Sequence, residues 1–128
     1  TEIYPLSLHD ALPISAGAMA RYWLAGWVFR MAGQPFPYGT LTVNLLGSFA
    51  IGVAWVWLVQ QQWGSEQHKQ VLMIGFLGAF TTFSTFSLES IALLQQERWL
   101  AFGGYVGFSV VGCLLATAAG IWVSKSLV

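Results

Sequence analysis

Charge is scarce in this 128-residue sequence: 8% of residues are Asp, Glu, Lys or Arg, five of each sign, for a net charge of zero. Nucleic-acid binding depends on clustered Lys and Arg to meet phosphate, so that class of partner is excluded. Cysteine is almost as scarce. The single Cys113 permits no intrachain disulfide, and its apolar neighbours make it a small core hydrophobe. There is no His or Cys cluster with metal-ligand spacing, no glycine-rich phosphate loop, and no nucleophile beside a base. Enzymatic chemistry therefore has no foothold.

Apolar residues make up 56% of the chain, and the mean hydropathy is +0.65, a balance suited to lipid rather than water. A membrane-crossing helix takes about 20 predominantly apolar residues, so this length accommodates about four spans and no extramembrane domain. The expected architecture is an all-α integral membrane protein of four transmembrane helices, at about 12–32, 38–59, 71–94 and 100–123. Residues 1–15 (TEIYPLSLHDALPIS) read as a tail foreign to the rest, and 16–128 as one four-helix domain. Gly33-Gln-Pro-Phe-Pro is a turn, because neither proline can continue a helix. In the fourth span, small residues recur at four-residue spacing, at Gly103 and Gly107 and again at Gly112, Ala116 and Gly120, a pattern that lets helix backbones approach in lipid.

With four spans, Lys69 and Lys125 fall on one side of the membrane and Arg30 and Arg98 on the other. Orientation follows an excess of Lys and Arg on the cytoplasmic side, so this tie predicts insertion either way up. Coexisting orientations permit a two-fold axis in the membrane plane, and hence an antiparallel homodimer.

The third span carries the chemistry. Thr81, Thr82, Ser84, Thr85, Ser87, Glu89 and Ser90 crowd a segment expected near mid-membrane, where irregular backbone survives only if buried in protein or lining a cavity. This predicts a break near Gly75, Gly78 and the threonine pair. Freed carbonyls there suit a small hard cation, and freed amides and hydroxyls suit an anion. Phe80, Phe83 and Phe86 recur at three-residue intervals, and the positive edge of an aromatic ring can hold an anion without a full charge. Thr40, Asn44 and Ser48 form a polar stripe on span two, and Tyr105, Ser109, Cys113 and Thr117 a second on span four. Asn44 is either interhelical glue or a pore donor. Arg21 and Glu89, the ionisable groups placed well inside spans, either pair with each other, snorkel, or serve function.

Three of these stretches, GTLTVNLLGSF (Gly39 to Phe49), GFLGAFTTFSTFSLE (Gly75 to Glu89) and GAMAR (Gly17 to Arg21), together resemble the Fluc, or CrcB, family of fluoride channels, over about 16–128. The resemblance implies a dual-topology antiparallel homodimer with two parallel fluoride pores and a structural sodium ion at its centre. It also implies passive fluoride export across the plasma membrane of a prokaryote, the inner membrane if Gram-negative, with lipid and a second copy of the chain as partners. Carried over by position, the pore phenylalanines are Phe83 and Phe86, and the pore-side asparagine is Asn44. Sodium falls to the Gly78 and Thr81 carbonyls. Ser84, Thr85, Glu89, Tyr105, Ser109 and Thr117 are implied in a polar track, Phe80 in packing, and Arg21 in a structural or vestibular role. Two other classes compete. A small four-helix multidrug exporter needs a protonatable carboxylate in its first spans, where Glu89 does not lie. A non-transporting membrane scaffold would use the polar segment as glue.

Overall fold

In the computed structural model, which describes residues 8–33 and 36–128, every regular element is helical. The part of the tail at 1–7 and the Gln34-Pro35 pair of the first turn lie outside the described residues. Helix α1 spans Leu8–Ala32 and so begins upstream of position 12, the expected start of the first span. Gly33 leaves it with φ +80, a conformation open to glycine at no steric cost.

Helix α2 occupies Tyr38–Gln60, starting directly after Pro37 and loosening into π-helical turns over Trp55–Gln60. After a polar loop the chain resumes as α3 (66–80), most of it π-helical over Gln70–Leu77 before a last tight turn at Gly78–Phe80. Helix α4 runs Phe83–Gln95, and α5, Trp99–Leu127, closes the chain.

Among the described residues, three stretches are long and apolar enough to cross a membrane: Tyr38–Gln60, Glu66–Gln95 and Trp99–Leu127. Helix α1 has the length, since 25 residues extend about 37 Å at about 1.5 Å per residue. Its composition holds it back, because Arg21 and Arg30 sit among glycines, Tyr22, Trp23 and Trp27.

Helices α2 and α5 make the most extensive pairing, and glycine permits it. A Cβ on Gly52 would collide with the Thr117 carbonyl, and one on Gly120 with the Phe49 carbonyl. The backbones meet at that crossing, and the Thr117 hydroxyl fixes it by donating to the Ser48 carbonyl at 3.0 Å. The small-residue pattern of α5 is thus divided. Gly120 is spent within the chain, whereas Gly103, Gly104 and Gly107 have nothing near them.

Two apolar clusters flank the break between α3 and α4. Ala54, Leu58 and Leu77 pack with Met73 and Phe76 on one side, and Phe86, Leu93 and Tyr105 pack with Phe36 and Leu41 on the other. Large apolar side chains otherwise point outwards, among them Trp23, Ile74, Leu100 and Leu115. In water such a surface would be an aggregation liability; in a bilayer it is the lipid-facing surface.

Candidate functional site

The break falls on two residues. Thr81 is extended (φ −89, ψ 163) and so is Thr82 (φ −151, ψ 122), after which helical geometry returns at Phe83. Leaving a helix inside lipid strands backbone groups that water cannot reach, and each such group costs about 1–3 kcal/mol if unpaired. Asn44 of α2 answers this directly. Its Oδ1 accepts the Thr82 N–H at 2.8 Å, and its Nδ2 donates to the Thr82 carbonyl at 2.9 Å. One primary amide thereby satisfies both polar groups of one residue across two helices. An asparagine amide has two N–H groups, so one donor remains beyond this pair.

Thr82 also starts the next helix. Its Oγ1 accepts the Thr85 N–H at 3.3 Å and donates to Thr85 Oγ1 at 3.2 Å, with Ser84 Oγ 3.4 Å away. Threonine is a preferred residue at this capping position because its oxygen satisfies an orphan N–H of the first turn. On the other side, Thr81 Oγ1 donates back to the Leu77 carbonyl at 3.2 Å. In an unbroken helix the Thr82 N–H would go to the Gly78 carbonyl; here it goes to Asn44. That diversion frees the Gly78 carbonyl.

With the cap fixed, Phe83 and Phe86 take the first and fourth positions of α4. Their rings lie 5.4 Å apart at 47°, but their surroundings differ sharply: Phe83 is 78% exposed, and Phe86 is 9% exposed. Phe86 further contacts the ring of Tyr105, which has no exposed surface, at 5.2 Å. Phe80 instead stacks on Phe76 within α3, interplanar angle 7°, and is packing.

A groove of about 530 Å³ opens over this arrangement. Asn44 and Ser48 enter it from α2, Gly78, Thr81 and Thr82 from the break, Phe83 and Phe86 from α4, and Ser109, Cys113 and Thr117 from α5. None of its lining residues carries a formal charge. Most of the polar atoms have partners, but the buried hydroxyl of Ser109, a residue 6% exposed, has none.

The remaining sequence-derived candidates lie elsewhere. Tyr105 donates its hydroxyl to Glu89 Oε1 at 2.9 Å, and Glu89 lines a second groove of about 280 Å³ with Thr40 and Arg98. Thr85 lines a third, of about 790 Å³, with Arg21, Arg30 and Thr40. Ser84 is exposed at the start of α4. Thr82 belongs to both the first and the third groove, so the Asn44–Thr82 bridge forms part of the wall between them. Arg21 and Glu89, in different grooves, do not pair with each other.

Sequence reasoning named Thr82 only as half of the threonine pair near the break and gave it no role in the site. It was one of seven hydroxyl and carboxyl residues in a crowded segment, yet it alone joins Asn44, caps α4 and separates two grooves. Threonine is a favoured residue at a helix N-cap, and that was the available signal.

Among the described residues no group of three or more His, Cys, Asp or Glu side chains converges to hold a metal. Backbone oxygen at the break is the donor set compatible with a cation, and such oxygen suits a hard one.

The family model described as CrcB-like protein, Camphor Resistance (CrcB), matches residues 11–121. A protein from Hahella chejuensis described as a fluoride-specific ion channel is 46% identical over 121 residues, covering 94% of this chain and 95% of that protein. Proteins with the same description from Geotalea uraniireducens and Solidesulfovibrio magneticus are 45% and 43% identical, covering 94% and 90% of this chain and 97% and 92% of theirs.

Proposed function

The chain belongs to the CrcB-like family, and from that premise we propose that it is a fluoride-selective channel exporting fluoride passively across a bacterial inner membrane. It is a multi-pass membrane protein. The observation that carries the proposal is the braced break: an uncharged groove at a helix interruption, with Phe83 presented to it and the spare Asn44 N–H beside it.

Fluoride is small and strongly hydrated, so a conducting path must replace water with donors and yet hold the ion weakly enough for exit. A full positive charge in the low dielectric of the membrane would bind too tightly, since ion pairs strengthen as the effective dielectric constant falls. Hydroxyls, one amide N–H and the edges of Phe83 and Phe86 meet both demands. Ser109 and Thr117 line this groove along α5, and the path continues past Phe86 towards the Tyr105–Glu89 pair; Ser84 and Thr85, at the head of α4 beyond the Asn44–Thr82 wall, would serve its approach.

We further propose four spans, α1 being the fourth, and an antiparallel homodimer. Two features support the dimer: the equal count of Lys and Arg that a four-span arrangement would put at the two membrane faces and the open Gly103, Gly104 and Gly107 face of α5. The Gly78 and Thr81 carbonyls of both subunits would hold sodium at the centre. Gly78 fits that role because its carbonyl has lost its helical donor and the residue is exposed in the single chain. A bound sodium ion would supply positive charge and tie the two breaks together.

The test is growth. Expression of the chain in a bacterium made hypersensitive to fluoride restores growth in fluoride medium, and expression of the Phe83→Ile variant does not. Equal growth with and without the chain would overturn the export reading.

A further inference from the structure

The turn that opens α3 is held by a histidine. Ser65 precedes the helix as its N-cap residue, and three residues on, where a capping box usually has Glu or Gln, the sequence has His68. The pairing is reciprocal all the same. His68 Nδ1 accepts the Ser65 backbone N–H at 2.9 Å, and the Ser65 hydroxyl lies 3.0 Å from the same nitrogen. In return, Ser65 Oγ accepts the His68 N–H at 3.3 Å. Gly64 completes the fit: with φ +85 and no side chain it lies against the imidazole, where a Cβ would stand 3.2 Å from Nδ1. A backbone N–H can only donate, so Nδ1 carries no proton and the ring is the neutral Nε2–H tautomer.

We propose that this cap is a pH-sensitive latch: neutral His68 holds the first turn of α3 wound, and protonation of its imidazole releases that turn. Histidine is the side chain that changes charge between about pH 5 and 8. A proton on Nδ1 takes up the lone pair that receives the Ser65 N–H. The new Nδ1–H can still donate to Ser65 Oγ, but the Ser65 N–H is then left facing a cation. That cation also sits in the first turn of a helix, where the macrodipole opposes positive charge. The imidazole is exposed, in the polar stretch ahead of the apolar run that starts at Val71, so acid in the surrounding water reaches it directly. Its electrostatic surroundings are simple. Among the described residues, the turn Glu66–Lys69 packs against Trp55–Gln60 of α2 and Gln70–Leu77 of α3, and neither segment contains a titratable residue. On the turn itself, Glu66 and Lys69 pair with each other at 3.1 Å. Once released, the turn leaves the π-helical Gln70–Leu77 to begin α3, a geometry that occurs mostly as single turns inside α-helices. The latch does not rest on the channel reading.

The test follows the His68 ring nitrogens and the Ser65 amide of the full chain in detergent micelles by NMR, at about pH 8 and about pH 5. At the higher pH the ring is expected to show a protonated Nε2 and a bare Nδ1; at the lower, both nitrogens carry protons. Protection of the Ser65 amide from solvent exchange, corrected for the intrinsic rate at each pH, is expected to fall about fivefold between the two, the ordinary effect of losing a capping partner. In His68→Gln, whose amide carbonyl can take the same place without titrating, the pH response is absent. In His68→Ala, protection is equally low at both pH values, and Glu66→Gln responds as the wild type does. A proton on Nδ1 at the higher pH overturns the cap. Ser65 protection that stays constant while the ring titrates overturns the latch. A response that survives in His68→Gln, or disappears in Glu66→Gln, overturns His68 as its trigger.

Discussion

Replacing Asn44 with alanine removes two hydrogen bonds at once and leaves two backbone groups of Thr82 without partners. The site is partly buried at membrane depth, where a stranded group costs about 1–3 kcal/mol, so the loss is about 2–6 kcal/mol if both remain unpaired. Relaxation has one obvious route: Thr82 N–H can swing back to the Gly78 carbonyl and close the break into continuous helix. That would rotate Phe83 and Phe86 out of their present register and reclaim the carbonyl left free at Gly78. Either outcome costs the channel its geometry. A penalty of about 2 kcal/mol in the conducting arrangement already corresponds to more than a tenfold loss, since about 1.4 kcal/mol is tenfold. The assay is fluoride release from vesicles, paired with thermal unfolding in detergent, for Asn44→Ala, Asn44→Asp and wild type. Asn44→Ala is expected to release fluoride at least tenfold more slowly and to unfold at lower temperature. Asn44→Asp keeps an acceptor for Thr82 N–H but turns a carboxylate oxygen on the Thr82 carbonyl, so it too loses release. An Asn44→Ala protein with wild-type release and wild-type unfolding would refute the bracing argument.

Phe83 and Phe86 separate function from stability. Phe83→Ala, at an exposed position, abolishes release with little change in unfolding, while Phe86→Ala empties a buried site and costs about 3–5 kcal/mol, seen as a large drop in unfolding temperature. Thr82→Val removes the α4 cap and costs about 1 kcal/mol, whereas Thr82→Ser keeps a capping oxygen and stays near wild type in unfolding measurements. Gly120→Val drives a side chain into the Phe49 carbonyl and disrupts the α2–α5 crossing, detected as loss of folded protein in detergent; Gly107→Ala, with nothing near its Cβ, leaves the subunit fold intact.

Much of this was legible in the sequence because lipid imposes strong rules. Proline at 37 placed the start of α2, and a ten-residue run dense in hydroxyls at membrane depth announced an interruption between Gly75 and Thr82. The threonine pair was one of three places named, and residue type alone did not choose among them. Gly75 and Gly78 favour a break on propensity, yet both stay helical, because Asn44 from another helix pays for the irregularity at Thr82 instead. A partner 38 residues away leaves no local trace. The same limit applies to the polar stripes. Thr40, Asn44 and Ser48 share one face of α2, but the break directs Asn44 and Ser48 to the main groove and Thr40 to the other two. The π-helical turns over Trp55–Gln60 and Gln70–Leu77 had no signature in residue type. Helix α1 shows the reverse case, a helix whose arginines and aromatic residues dilute the apolar signal that membrane length would otherwise give.

The central claim is that an uncharged groove at a braced helix break passes fluoride in preference to other anions. Its most direct measurement is the initial rate of fluoride release from vesicles holding the purified chain, set beside chloride release under the same gradient. The account predicts fluoride release faster than chloride by orders of magnitude, and its loss in Phe83→Ile. Equal release of the two anions, or fluoride release untouched by Phe83→Ile, would contradict it.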